Sequence, residues 1–127
     1  HRLTFSPFGG LPTWLDEGLA MENEGEPAAT FVSVLQQAVE DDALISLRTL
    51  NGPFSSETQK AYLSYAESHS VVNYLLAMYG PQPMSELLSL LTSGETVDDA
   101  LVSSYGMNLD ALEAEWRVAV RGLFAYA

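Results

Sequence analysis

The chain has 127 residues, 47% of them hydrophobic, which suits one domain with a real core. Its 17 acids against 5 lysines and arginines leave a net charge of −12, so phosphate backbones and anionic membrane surfaces are repelled. The absence of cysteine removes disulfides, thiolate zinc ligands, iron–sulfur clusters and thiol nucleophiles together.

Residues 1–12 carry Pro7, Gly9, Gly10 and Pro12 and read as an ordered opening loop. A helix is predicted from Thr13, where Thr13 and Asp16 approximate a capping box, to the Gly25-Glu26-Pro27 stop. A second helix runs from about Pro27 to Glu40, with Phe31, Val34, Leu35 and Ala38 at helical spacing. Asp41 and Asp42 oppose the dipole of its last turn, so a boundary is expected there, with both acids solvated. Leu44 to Leu50 alternates weakly before the Asn51-Gly52-Pro53 turn and reads as an extended linker or short strand.

A long helix is predicted over Ser56 to Tyr79, opened by a Ser56–Gln59 capping box and closed by Gly80-Pro81. Pro83 starts the next, which runs through Leu91 to a stop at Gly94. Thr96 and Asp99 cap a short helix that ends at Tyr105–Gly106, and Asp98-Asp99 reads as a solvated helix end. Asn108 caps the last helix, whose Leu109, Leu112, Trp116, Ala119, Val120 and Leu123 keep the 3.6-residue period. The sum is an all-α fold of about six helices in an irregular bundle, a single helical domain over residues 1–127. Internal repeats and low-complexity tracts are absent.

No run reaches the ~18 apolar residues needed to span a bilayer. No basic segment followed by an apolar one opens the chain. It opens at His1 without an initiator methionine and is expected to be a piece of a longer protein.

Chemistry is sparse. The two histidines are His1 and His69, and there is neither a Gly-x-Ser-x-Gly elbow nor a glycine-rich phosphate loop. Glu17 stands out as a carboxylate in an otherwise apolar turn, with Trp14, Gly18 and Met21 on or next to its helix face. Burying it among apolar groups costs several kcal/mol unless it is paired or bound to a metal. On the residues alone it is either a surface or capping glutamate or a group held for chemistry. Gly18 beside it costs ~1 kcal/mol against alanine in a helix, which implies another backbone packed close. Trp14, Trp116 and Leu112 read as core, and His69 as a partly buried histidine with a hydrogen-bond partner.

The segment Leu11-Pro12-Thr13-Trp14-Leu15-Asp16-Glu17-Gly18-Leu19-Ala20 resembles the P-x-W-L-x-E-G-L-A segment of the peptidase MA-like gluzincin zinc metallopeptidases. Further on, Ala61 to Ser68, Val71 to Leu75 and Tyr79-Gly80 resemble that family's tyrosine-bearing long helix. Gly94, Ala100-Leu101, Gly106, Leu112-Glu113 and Trp116-Arg117 resemble its C-terminal pattern. The resemblance covers most of the chain and implies the C-terminal helical subdomain of such an enzyme.

By that resemblance, a His-Glu-x-x-His helix supplies two zinc ligands and the general base, and Glu17 is the third ligand, with Asp16 near enough to tune it. Tyr65, and after it Tyr62, would stabilise the oxyanion formed on the substrate. The His-Glu-x-x-His motif is missing from this sequence. Zinc is therefore expected in the complete parent and not in this chain alone, which is expected to be inactive by itself. His1 would lie near the missing helix. Peptides or proteins would be the parent's substrates, in an extracytoplasmic or membrane-anchored setting. Two other readings remain: a non-catalytic helical protein-interaction domain, and a homo-oligomer formed through the groove that a missing helix leaves.

Overall fold

In the computed structural model, residues 11–24 and 29–125 are described. They form seven α-helices and no strand: α1 (Thr13–Glu24), α2 (Ala29–Glu40), α3 (Leu47–Leu50), α4 (Thr58–Tyr79), α5 (Pro81–Thr92), α6 (Val97–Tyr105) and α7 (Leu109–Phe124). The predicted all-α class is correct. The opening loop and the Pro27 helix start fall mostly outside the described residues.

The helix ends follow local chemistry. Thr96 Oγ1 accepts the Asp99 N–H at 3.1 Å, and Asn108 Oδ1 accepts the Ala111 N–H at 2.9 Å. After α5, Gly94 takes φ 104°, and the Gly94 and Glu95 N–H groups return to the Leu91 and Leu90 carbonyls. That pair of bonds is a Schellman ending, which needs a left-handed residue. The end of α2 has the same wiring with Asp42 at φ 54°, a short polar side chain in a place glycine usually takes. The boundary expected at Asp41-Asp42 is therefore real, and it is made by backbone geometry as well as by the dipole.

Three sequence expectations give way. First, the Leu44–Leu50 segment contains neither a strand nor a plain linker throughout; residues 47–50 make one helical turn, α3, capped by Ser46. One turn is too short to leave a period in the sequence. Second, α4 begins at Thr58 behind Glu57, with no side-chain cap bond, so the Ser56–Gln59 box does not form. Third, α5 begins at Pro81 rather than Pro83, since Pro81 directly after the left-handed Gly80 already satisfies a first-turn position.

One apolar core joins the helices. Its largest members are Trp14, Trp116, Leu15, Leu47, Leu50, Leu75, Leu87, Leu91, Leu101, Leu109 and Leu112. Helix α4 is the centre, in contact with α1, α2, α5 and α7. It is buried round most of its middle, at Ser64, Ala66, Glu67, Ser68, His69, Val71 and Val72. Both indoles are placed by their N–H: Trp116 Nε1 donates to Ser70 Oγ and Trp14 Nε1 to Asn51 Oδ1, each at 2.9 Å. Among the described residues no helix is long and apolar enough to cross a membrane.

Candidate functional site

The contact between α1 and α4 organises the candidate site. Gly18 is buried at its centre. A Cβ there would stand 2.5 Å from the Ser68 carbonyl oxygen and 2.5 Å from Val72 Cγ2. Only glycine lets the two helices come this close, which is the close approach expected from the sequence. Ser68 Oγ turns back to donate to the Ser64 carbonyl at 2.7 Å, which keeps that hydroxyl out of the contact.

Glu17 is half-buried one residue before this point. Its carboxylate is close enough to Tyr65 to act on the phenol. The Tyr65 pKa is raised, first by burial and then by the Glu17 charge. The Tyr65 ring is held edge-on to Phe54, with centroids 5.2 Å apart. Asp16 is half-exposed in the first turn of α1, where an acid suits the helix dipole. Its N–H donates to the Pro12 carbonyl at 3.1 Å, so Thr13 stands inside the helix rather than in the capping position expected of it.

Tyr62 sits elsewhere. It is exposed, and its ring meets Phe31 of α2 edge-on at 5.6 Å. Three residues along a helix turn it about 60° away from Tyr65. His69 is buried, and its Nε2 lies 3.2 Å from Glu22 Oε1 at the far end of α1. It is the partnered, buried histidine that the sequence suggested. His1 lies outside the described residues. Among the described residues no group of three or more histidine and acidic side chains is gathered to hold a metal ion.

A second polar cluster was not anticipated. Glu67 is fully buried on α4, and its Oε2 accepts the Ile45 N–H at 2.7 Å. Its Oε1 has no hydrogen-bond partner. Burial, together with the Glu113 charge, outweighs the Ile45 bond and Arg117, and its pKa is pushed up to about 8. Glu113 Oε1 accepts the Leu47 N–H at 2.8 Å, and its Oε2 accepts from Arg117 Nε at 2.8 Å. Arg117 also donates to the Leu44 carbonyl at 3.3 Å. These side chains satisfy the backbone of the irregular connector between α2 and α3, which has no ladder of its own. The signal was present: Glu67 follows Leu63 and precedes Val71 by four residues each, on an inward stripe of α4.

Asp98 also differs from expectation. It is not a free solvated end: it accepts the Leu109 N–H at 2.9 Å and pairs with Arg48, which lies 2.9 Å from Asp110 as well. The Leu109 bond, foremost, holds its carboxyl below the usual carboxylate range. Farther off, Glu115 Oε1 accepts from both Tyr74 and Tyr79, at 2.7 and 2.6 Å.

A cavity of about 830 Å³ opens between α2, the connector and the first half of α4. Val34, Ala38, Ile45, Leu50, Phe54 and Leu63 contribute its apolar lining. Through Phe54 it adjoins the ring of Tyr65.

Residues 1–122 match a family model described as Peptidase MA superfamily. No curated protein and no solved structure matches the chain.

Proposed function

The chain belongs to the Peptidase MA superfamily, and from that premise we propose that it is the C-terminal helical portion of a zinc metallopeptidase in which Glu17 supplies one metal ligand. The family is one of zinc peptidases, so peptides are the substrate class it implies. The single observation that carries the residue assignment is the close α1–α4 approach at Gly18, which sets the half-open Glu17 where its charge reaches Tyr65. A carboxylate is a suitable oxygen donor for zinc, and Glu17 is open enough to reach a shared site. A catalytic zinc needs three protein ligands, so the other two come from outside the described residues.

Zinc, when bound, would polarise the scissile carbonyl and activate water for the attack. The chain's own part is binding and positioning. Glu17 would hold the metal, and the close α1–α4 contact at Gly18 fixes its place along the helix. Tyr65 keeps its phenol proton through neutral pH, because burial and the Glu17 charge both raise its pKa. It can therefore donate to the oxyanion that develops on the substrate. Tyr62, packed outward on Phe31, is the second choice for that role. The sequence carries no His-Glu-x-x-His, so this chain alone is not expected to hydrolyse peptides.

The test is metal content and kinetics of the natural full-length protein. Glu17→Gln should lose zinc, by about 100-fold in affinity. Tyr65→Phe should keep zinc and lose about 10²-fold or more in kcat, the usual cost of one oxyanion donor. Undiminished zinc in Glu17→Gln sinks the ligand assignment, and an unchanged kcat in Tyr65→Phe sinks the oxyanion role.

A further inference from the structure

The first turn of α1, just before Glu17, is tied to one residue outside that helix. Asn51 accepts the Thr13 N–H on its carbonyl oxygen at 3.0 Å and the Trp14 indole N–H on Oδ1 at 2.9 Å. Thr13 and Trp14 stand four and three residues before Glu17, which puts all three on one side of the helix. Two bonds from one residue, one to the backbone and one to a buried ring, fix both the height and the rotation of that turn.

Asn51 is itself held. It closes α3, with its N–H returning to the Arg48 and Thr49 carbonyls. Upstream, the connector is clamped by Glu67 on Ile45, Glu113 on Leu47 and Arg117 on Leu44. The fully buried Glu67 and the half-buried Glu113 thus brace the segment that ends in Asn51. Asn51-Gly52-Pro53 reads in sequence as a turn, where asparagine usually bonds its own backbone. Here its side chain is spent on α1 instead.

We infer that Asn51 is a positioning residue for Glu17: through its paired hydrogen bonds to Thr13 and Trp14, it sets the pose of the turn that presents this carboxylate. The inference rests on the proposal that Glu17 is a metal ligand. Coordination tolerates misplacement of only about 0.5 Å, so a loosened first turn lowers metal affinity before it unfolds the helix.

The experiment is titration of the natural full-length protein with Zn²⁺ alone, alongside thermal melts. Asn51→Ala should weaken zinc binding about ten-fold, as loss of outer support to a ligand does. Asn51→Asp keeps an oxygen acceptor for the indole and should restore most of the affinity. Trp14→Phe breaks the same bond from the other side and should weaken binding similarly. The double variant should be no weaker than the worse single one, because one bond is lost in all three. A residue that only supports the fold would lower the melting temperature in Asn51→Ala and leave zinc affinity unchanged, and that result overturns the inference. Strictly additive losses in the double variant overturn it as well. Glu17→Gln in the same series separates the two claims. If it leaves zinc affinity unchanged, or if the wild-type protein takes up no zinc, the ligand assignment fails and the inference goes with it. If it weakens binding while Asn51→Ala does not, only the inference fails.

Discussion

The α1–α4 contact and the α2–α3 connector both place a glutamate of α1 or α4 against a neighbouring element, and they do so by opposite means. At the first, Gly18 removes a side chain so that two backbones meet, and Glu17 stays half-open beside them. At the second, Glu67 is wholly buried and spends one oxygen on the Ile45 N–H. Glu67, on α4 against the connector, has its pKa pushed up to about 8 by burial. It has no exposure through which a substrate or a metal could reach it. Burial and a shifted pKa therefore mark structural glutamates as readily as functional ones, and access is what separates the two.

The largest effect that tests this contrast is the pH dependence of stability. The folded pKa of Glu67 is raised to about 8 from an ordinary 4.5. The folded state then holds the proton more tightly than the unfolded state. Its contribution to stability is full below the unfolded value and is lost as pH rises through about 8. The loss is on the order of a few kcal/mol for a fully buried carboxyl. Glu67→Gln keeps an acceptor for Ile45 and removes the titration. Denaturant melts between pH 5 and pH 9 should show a smaller decline for this variant, by roughly that amount. Parallel declines in both proteins would mean that Glu67 is not held protonated, and would weaken the distinction between the two glutamates.

Next in size is Gly18→Ala. In an open helix this change stabilises by ~1 kcal/mol. Here the new methyl would meet the Ser68 carbonyl and Val72 at 2.5 Å, and backbone cannot yield as a side-chain tip does. We expect a loss of about 1–3 kcal/mol in chemical denaturation, the usual range for overpacking. A gain in stability would show that the α1–α4 approach is looser than described. The smallest effect belongs to Ser46→Ala, which removes the cap of α3, where Oγ accepts the Thr49 N–H at 3.2 Å. Its cost should be ~1 kcal/mol by the same melts. Faster hydrogen exchange should be confined to the connector and the start of α1, since α3 leads directly to Asn51.

Most of the helices were legible because their signals are local. The caps at Thr96 and Asn108, the stop at Gly94 and the amphipathic run of α7 lie within a few residues of the structures they specify. The failures are also local in cause. A single turn such as α3 is too short to show a period, and Ser56 and Gln59 had the spacing of a capping box without the backbone that uses it. Of the candidate site, Glu17 and the close approach at Gly18 could be read from a ten-residue segment. Tyr65 ahead of Tyr62 followed only from the resemblance, and no residue pattern could place either beside Glu17, because that depends on how α4 is rotated against α1.

What the sequence determined alone was the helical class, the helix stops, the acidic surface and the family-like segment around Glu17. Each rests on propensity, period or a short motif, and none needs a distant partner. The tertiary structure alone decided that Glu67 is buried, that Asp98 joins α6 to α7 and α3, and that Asn51 reaches back to α1. Those pairings span 37 residues for Asn51 with Trp14 and 50 for Arg48 with Asp98. At such separations a side chain's partner is set by how the core packs, and one-dimensional patterns carry no record of it.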